Sequence, residues 1–212
     1  MIRRRISLFA LLPFLSLSFV PNLSAEETDA TPKAYQQFPE ALGVFFGSAS
    51  GMGLSYHAWL PDVPGSGVQV AAGVLYSPSA EDMIFWGTIL DYNVGFEYQR
   101  SVFGADFTDW LSGLLYLWAG VAHRGYIEQI LINEAVYDDE TGDLISDAEF
   151  GEGPFRPTVS VGIGIGVEVI LFRHFSFPAE VGYVATYDFS AADFRTGFSV
   201  TLTPQGGGRY RY

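Results

Sequence analysis

Residues 158–171 read Thr-Val-Ser-Val-Gly-Ile-Gly-Ile-Gly-Val-Glu-Val-Ile-Leu, and the alternation in this stretch decides the fold. Val159, Val161, Ile163, Ile165, Val167, Val169 and Leu171 share one parity, while Ser160, Gly162, Gly164, Gly166 and Glu168 share the other. A period of two belongs to a strand, whose successive Cβ atoms leave opposite faces; a helix would scatter both sets around its circumference. A sheet with one face in water carries Lys, Thr, Glu and Gln on that face. An unbroken aliphatic face backed by glycine, serine and one carboxylate fits a wall between lipid and a tight polar lumen.

The same two-sided pattern recurs along the chain. Only Phe172-Arg173-His174 separates this stretch from residues 175–188, where Phe175, Phe177, Ala179, Val181, Tyr183, Ala185 and Tyr187 oppose Ser176, Glu180, Gly182, Thr186 and Asp188. A connection that short requires an antiparallel neighbour. Within a strand predicted over 84–100, Leu90, Tyr92, Val94, Phe96 and Tyr98 oppose Asp91, Asn93, Gly95, Glu97 and Gln99. Further strands are predicted at 42–48, 52–60, 68–76, 109–126 and 196–212, eight in all. Residues 109–126 are the least regular, with Leu114, Tyr116 and Trp118 opposite Leu111, Leu115 and Leu117, and a buried core helix is the alternative there. Pro204 predicts a bulge or a frayed join, because proline cannot donate to a ladder.

The chain has 212 residues, a formal net charge of −13, 24 glycines and no cysteine. Residues 1–25 carry Arg3, Arg4 and Arg5, then an apolar run over 6–20, then Leu23-Ser24-Ala25, the layout of a cleaved signal peptide. Pro13 and Ser16 interrupt the run, which is shorter than the ~20 residues of a spanning helix. Removing this segment takes three basic residues and no acid, moving the formal charge from −13 to −16. Such acidity excludes nucleic acid as a partner, since phosphate binding needs a basic footprint. An exported chain without cysteine relies on its core and hydrogen bonds and not on disulfides. No long apolar helix candidate follows residue 25, so a chain that crosses a bilayer does so with strands.

These features predict an all-β protein: a periplasmic linker over 26–40 and a single closed antiparallel transmembrane β-barrel of about eight strands over 41–212. An even strand count leaves both termini on the periplasmic side. Residues 61–67, 101–108 and 172–174 then become periplasmic turns, and 49–51, 77–83, 133–156 and 189–195 become outer loops. The longest loop contains eight acids and no base between residues 134 and 152. Eight strands leave room for side chains but no open pore. Asp91, Glu97, Glu168 and Glu180 would therefore share the lumen with Arg209 and Arg211 in a packed salt-bridge network. Trp59, Tyr76, Phe85, Trp86, Trp110, Tyr126, Tyr187 and Phe189 lie near strand ends, where interfacial girdles would place them.

His57, His123 and His174 fall on different strands or turns, without metal-ligand spacing, and no cofactor or metal is expected. The acidic segment lacks the Asp-x-Asp-x-Asp-Gly array of a calcium loop and reads as solvated surface, with no ligand identifiable from the residues.

The final residues Gln205-Gly206-Gly207-Gly208-Arg209-Tyr210-Arg211-Tyr212 resemble the terminal assembly signal of bacterial outer-membrane barrels, with Gln205, Gly207, Tyr210 and Tyr212 filling its positions. Arg195, Gly197, Val200 and Leu202 form a second, internal match. With the runs at 53–59 and 164–183, the chain is similar to small, porin-like outer-membrane β-barrel proteins. That resemblance implies outer-membrane localisation, outer-membrane lipid and the barrel-assembly machinery as partners, and a structural or interaction role or a minor small-solute conduit. A soluble periplasmic lipid-binding barrel is the alternative, and it requires the aliphatic faces to point inward. A third reading is enzymatic. His174 and Ser176, with Asp188 or Glu180 downstream, resemble the His-x-Ser pair of outer-membrane lipid A deacylases, although Phe177 replaces the asparagine that follows the serine in that family.

Overall fold

The computed structural model describes residues 34–76, 88–133, 136–137, 144–146, 149–192 and 194–212. The predicted signal peptide, Phe85, Trp86 and most of the acidic segment lie outside these residues. A short helix, α1 (Ala34–Gln37), precedes β1 (Glu40–Gly47), β2 (Gly51–Trp59), β3 (Ser66–Tyr76), β4 (Thr88–Thr108) and β5 (Leu111–Asn133). Two brief strands, β6 (Val136–Tyr137) and β7 (Leu144–Ser146), pair with each other. Then come β8 (Glu149–Leu171), β9 (Phe175–Asp188), α2 (Phe194–Gly197) and β10 (Phe198–Arg211).

Eight strands pair antiparallel in the ring order β1-β10-β9-β8-β5-β4-β3-β2, which closes on itself. Closure is made by the chain's first and last strands, from Ala41 opposite Arg211 to Phe46 opposite Gly206. Beyond the tilt and twist common to such sheets, closure removes the open edges that would otherwise seek another chain.

Parity assigns the faces. On β8, Val161, Ile163, Ile165, Val167 and Val169 point outward and are 43–60% exposed, whereas Gly162, Gly166 and Glu168 face the interior. Val94, Phe96 and Tyr98 on β4 and Phe175, Phe177, Val181 and Tyr183 on β9 also point out. The inward aliphatic faces required of an interior lipid binder are therefore absent from these strands.

Residues 111–133 form a strand throughout, not a helix, and its two-sided apolarity has a packing cause. Leu114, Tyr116 and Trp118 point inward and join Ala49, Trp59 and Val184 in the buried apolar cluster. The glycines of β8 and β9 make room for them. A Cβ on Gly164 would lie 2.7 Å from Trp118 Nε1, one on Gly162 would lie 3.0 Å from Trp118 Cζ3, and ones on Gly166 and Gly182 would collide with Tyr116 and Trp118. The bare glycine face at 158–171 is thus the negative of the large face on β5.

Several expected boundaries move. Residues 101–108 extend β4, and the turn is confined to Asp109 and Trp110. β8 begins at Glu149, opposite Asn133, so the expected loop at 133–156 is largely strand at its ends. Pro204 pairs with Val181 in the unbroken register of β9 and β10, with no bulge. Its other edge lies beyond the last β1 pair, so no neighbour there needs its missing N–H. Trp59 is 5% exposed and sits in the interior cluster, not in a girdle. Tyr76, Trp110 and Phe189 are exposed near strand ends.

Two segments expected outside fold inward instead. The turn at 48–50 between β1 and β2, expected as an outer loop, enters the barrel, with Ala49 and Ser50 fully buried. Gly95, Gly120 and Gly162 surround it. A Cβ on Gly120 would lie 2.6 Å from Ala49 O, one on Gly162 would lie 2.7 Å from Ala49 Cβ, and one on Gly95 would strike the Ser50 and Gly51 backbone. Gly51, at φ 88°, makes the sharp return. At the opposite end the described part of the expected linker, residues 34–40, packs against the barrel: Tyr35 meets Trp59 edge-on at 5.5 Å, Trp59 N donates to Pro39 O, and the Phe38 ring centre lies 4.4 Å from that of His174.

Candidate functional site: the filled lumen and its polar mouth

Inward parity collects the polar side chains into three levels. At the terminal end, Arg211 Nη2 donates to both Glu168 carboxylate oxygens at 2.7 and 2.8 Å, and Arg209 Nη1 stands 3.6 Å from Glu168 Oε1. All three side chains are fully enclosed. Arg211 Nη1 also donates to Phe38 O at 3.1 Å, Arg209 Nη2 to Gln69 Oε1, and His57 Nε2 lies 3.0 Å from Gln99 Oε1.

The next level holds two carboxyl groups, and among the described residues no arginine is bonded to either. Glu97 from β4 accepts from Ser50 Oγ and, at 2.6 Å, from Gln99 Nε2. Glu180 from β9 accepts from Tyr116 Oη at 2.6 Å and Gln205 Nε2 at 2.6 Å. Gln205 Nε2 also approaches Ser50 Oγ at 2.9 Å, which ties the inserted turn to both walls.

At the loop end the interior opens into a cup of about 590 Å³ whose floor is Gly47, Ser48, Gly51 and Met52. Arg124 from β5 grips Asp91 from β4 with two hydrogen bonds, and its guanidinium lies 4.8 Å from the centre of the Tyr126 ring. Ser160 and Thr186 share a hydrogen bond of 2.8 Å, and Thr158 Oγ1 donates to Arg124 O at 3.3 Å. On the rim, Asp188 accepts from the Ser190 hydroxyl at 2.6 Å and the Ser190 amide at 2.8 Å. The Ser190 hydroxyl, first, and then its amide hold the Asp188 carboxyl below the usual carboxylate range.

The six charged residues expected to form one network are divided. Glu168, Arg209 and Arg211 are brought together; Glu97 and Glu180 are held by neutral donors; Asp91 pairs with Arg124, which the sequence reading did not assign. The parity of β5 carried the missing signal, since Arg124 shares it with inward Tyr116, Trp118 and Ala122. Gln99 shares the polar face that the alternation assigns to the lumen, and Gln205 shares the parity of Arg209 and Arg211, but neither was assigned to a carboxylate; Ser50 was missed because its turn reads as an outer loop.

Gln205 and Gly207 of the terminal signal face the interior, whereas Tyr210 and Tyr212 are each 49% exposed. Of the internal match, Val200 and Leu202 point outward, and Gly197 closes α2.

The residues of the hydrolase reading are not assembled. His174 Nδ1 lies 2.9 Å from Arg211 O, and its ring stacks on Tyr210 at 5.4 Å. Ser176 is fully buried in the lumen. Asp188 ends the strand that begins at Phe175, which at about 3.3 Å per residue places it roughly 40 Å away along β9. Glu180 is already engaged by Tyr116 and Gln205. Among the described residues, no group of three or more His, Cys, Asp or Glu side chains is arranged to hold a metal ion. No family model, curated protein or solved structure matches the chain.

Proposed function

We propose that this chain is an integral outer-membrane β-barrel protein of structural or interaction type, with a closed lumen and a polar cup at its loop end. The observation that carries the reading is the outward wall. Leu42, Leu54, Val94, Leu117, Ile163 and Tyr183, taken from six different strands, are 47–77% exposed. So much apolar surface around a complete ring is unstable in water and suits hydrocarbon. From Val159 to Leu171 the strand runs about 40 Å at about 3.3 Å per residue, and a tilt of about 40° reduces this to about 30 Å, the thickness of a hydrocarbon core.

Aromatic rings support the same placement. Trp110 and Phe172 lie 6.1 Å apart at the terminal end, and Tyr187 and Phe189 lie 4.9 Å apart at the loop end. Rings at both heights fit two interfacial girdles. The inserted turn, Tyr116 and Trp118 fill the middle of the lumen, which favours an interaction role over a solute conduit. The reading includes display of the acidic segment over 134–152 to the exterior as an interaction surface.

The test is electrophoretic migration of detergent-extracted protein with and without boiling, together with its partition between outer-membrane and soluble fractions. A heat-shifted band in the outer-membrane fraction, with no conductance in planar bilayers, is the expected result. Soluble, unshifted protein would overturn the reading.

A further inference from the structure

We propose that Glu97 and Glu180 form a one-proton site, in which the two buried carboxyl groups hold a single proton between them. The site lies inside the barrel, so this inference goes beyond the membrane reading and stands whether or not that reading does.

The geometry brings the two groups into one hydrogen-bonded ring. Gln99 Nε2 lies 2.6 Å from Glu97 Oε1 and 3.5 Å from Glu180 Oε1; Gln205 Nε2 lies 3.3 Å from Glu97 Oε2 and 2.6 Å from Glu180 Oε2. The two carboxyl groups thus meet around the same two amide nitrogens. Two carboxylates have no proton to share in such a contact; one carboxylate and one carboxylic acid do. Like charges this close cannot both ionise without a cation between them.

The charges facing the pair lead to the same count. From β10 come Arg209 and Arg211, from β8 Glu168, from β2 His57 and from β5 the phenol of Tyr116. Glu168 is bonded to Arg211 and lies near Arg209, and Asp91 is matched by Arg124 at the mouth. A cationic His57 would face both arginines, and its Nδ1 has no hydrogen-bond partner. With Asp91 matched by Arg124, the described residues leave three buried carboxylates against two guanidiniums, one negative charge in excess, and one proton cancels it. Ser50 of the inserted turn then donates into a neutral cluster, which lets the turn seal the pair from the cup.

The proton moves from solvent to a carboxylate oxygen on folding and returns on unfolding, with no other bond changed. Because the folded state holds a proton that the unfolded carboxylates release above about 4.3, the parent's stability must fall as pH rises from that value through neutrality, until the folded site itself gives the proton up. Glu97→Gln and Glu180→Gln each leave two carboxylates against two arginines. Each single variant is expected to match the parent's unfolding midpoint at about pH 4 and to exceed it at neutral pH, because the amide needs no proton and the parent's decline is lost. The double variant leaves one uncompensated arginine and is expected to unfold at a lower midpoint than either single.

Infrared spectra of the unaltered chain supply a readout independent of these variants. A protonated-carboxyl stretch at neutral pH, absent from both single variants, is expected. Absence of that band from the parent, its persistence in both single variants, or a stepwise gain in stability from single to double would overturn the proposal. So would a parent midpoint that rises with sodium at constant ionic strength, which would make a metal cation the occupant.

Discussion

Two neighbouring levels of the barrel interior bury their carboxyl groups by opposite means. Toward the termini, Glu168 is enclosed with Arg209 and Arg211. One level away, Glu97 and Glu180 meet amides and hydroxyls. The cause lies in the register of one strand. Gln205 stands directly opposite Glu180, while the inward arginines follow four and six residues later and reach the level of Glu168. The terminal level is locked by charge, and the level next to it by neutral donors carried partly on an inserted turn, before charge returns with Asp91 and Arg124 at the mouth. A buried acid therefore does not imply a salt bridge, even in a lumen that contains unspent guanidinium donors.

Removing the anion from the charge-locked level should have the largest effect. Glu168→Ala leaves two enclosed guanidiniums without a carboxylate, and a loss of about 3–5 kcal/mol is expected in urea unfolding of the refolded barrel. An unchanged midpoint would mean that water already solvates the arginines. Gly182→Val instead attacks the interior packing, since its Cβ would collide with Trp118. A loss of about 1–3 kcal/mol is expected, with weakened near-UV signal from the displaced indole.

A smaller change of opposite sign should come from the terminal end. Phe172 and Arg173 hold φ of 51° and 65° in the turn between β8 and β9, a conformation that favours glycine or asparagine. Arg173→Gly relieves one of these and forfeits only an exposed 3.2 Å hydrogen bond to Gln37. The unfolding free energy should rise by about 1 kcal/mol, and a fall would mean that the bond to Gln37 outweighs the strain.

The smallest effect belongs to the loop-end rim. Asp188 is depressed by Ser190, so its contribution is complete above the unfolded value of about 3.9 and is lost as pH falls through the lower folded value. Asp188→Asn should lower the neutral midpoint slightly, match the parent at the acid extreme and so flatten the acid limb of the stability profile. An identical acid limb would show that Ser190 does not hold the carboxylate in solution.

Sequence by itself determined the eight-strand alternation, the antiparallel neighbours and the outward direction of residues such as Ile163 and Tyr183, because parity is a local property of an extended backbone. The same parity put Glu97, Glu168 and Glu180 on inward faces, where they lie buried. Only tertiary structure decided which of them meets a cation. That choice depends on the register in which β10 passes β9 and on the closing pairs with β1, and neither is written in the period of any one strand. The inserted turn was hidden for the same reason. Ala49 and Ser50 read as an ordinary surface turn until Gly95, Gly120 and Gly162, from three distant strands, are seen to leave the space it fills.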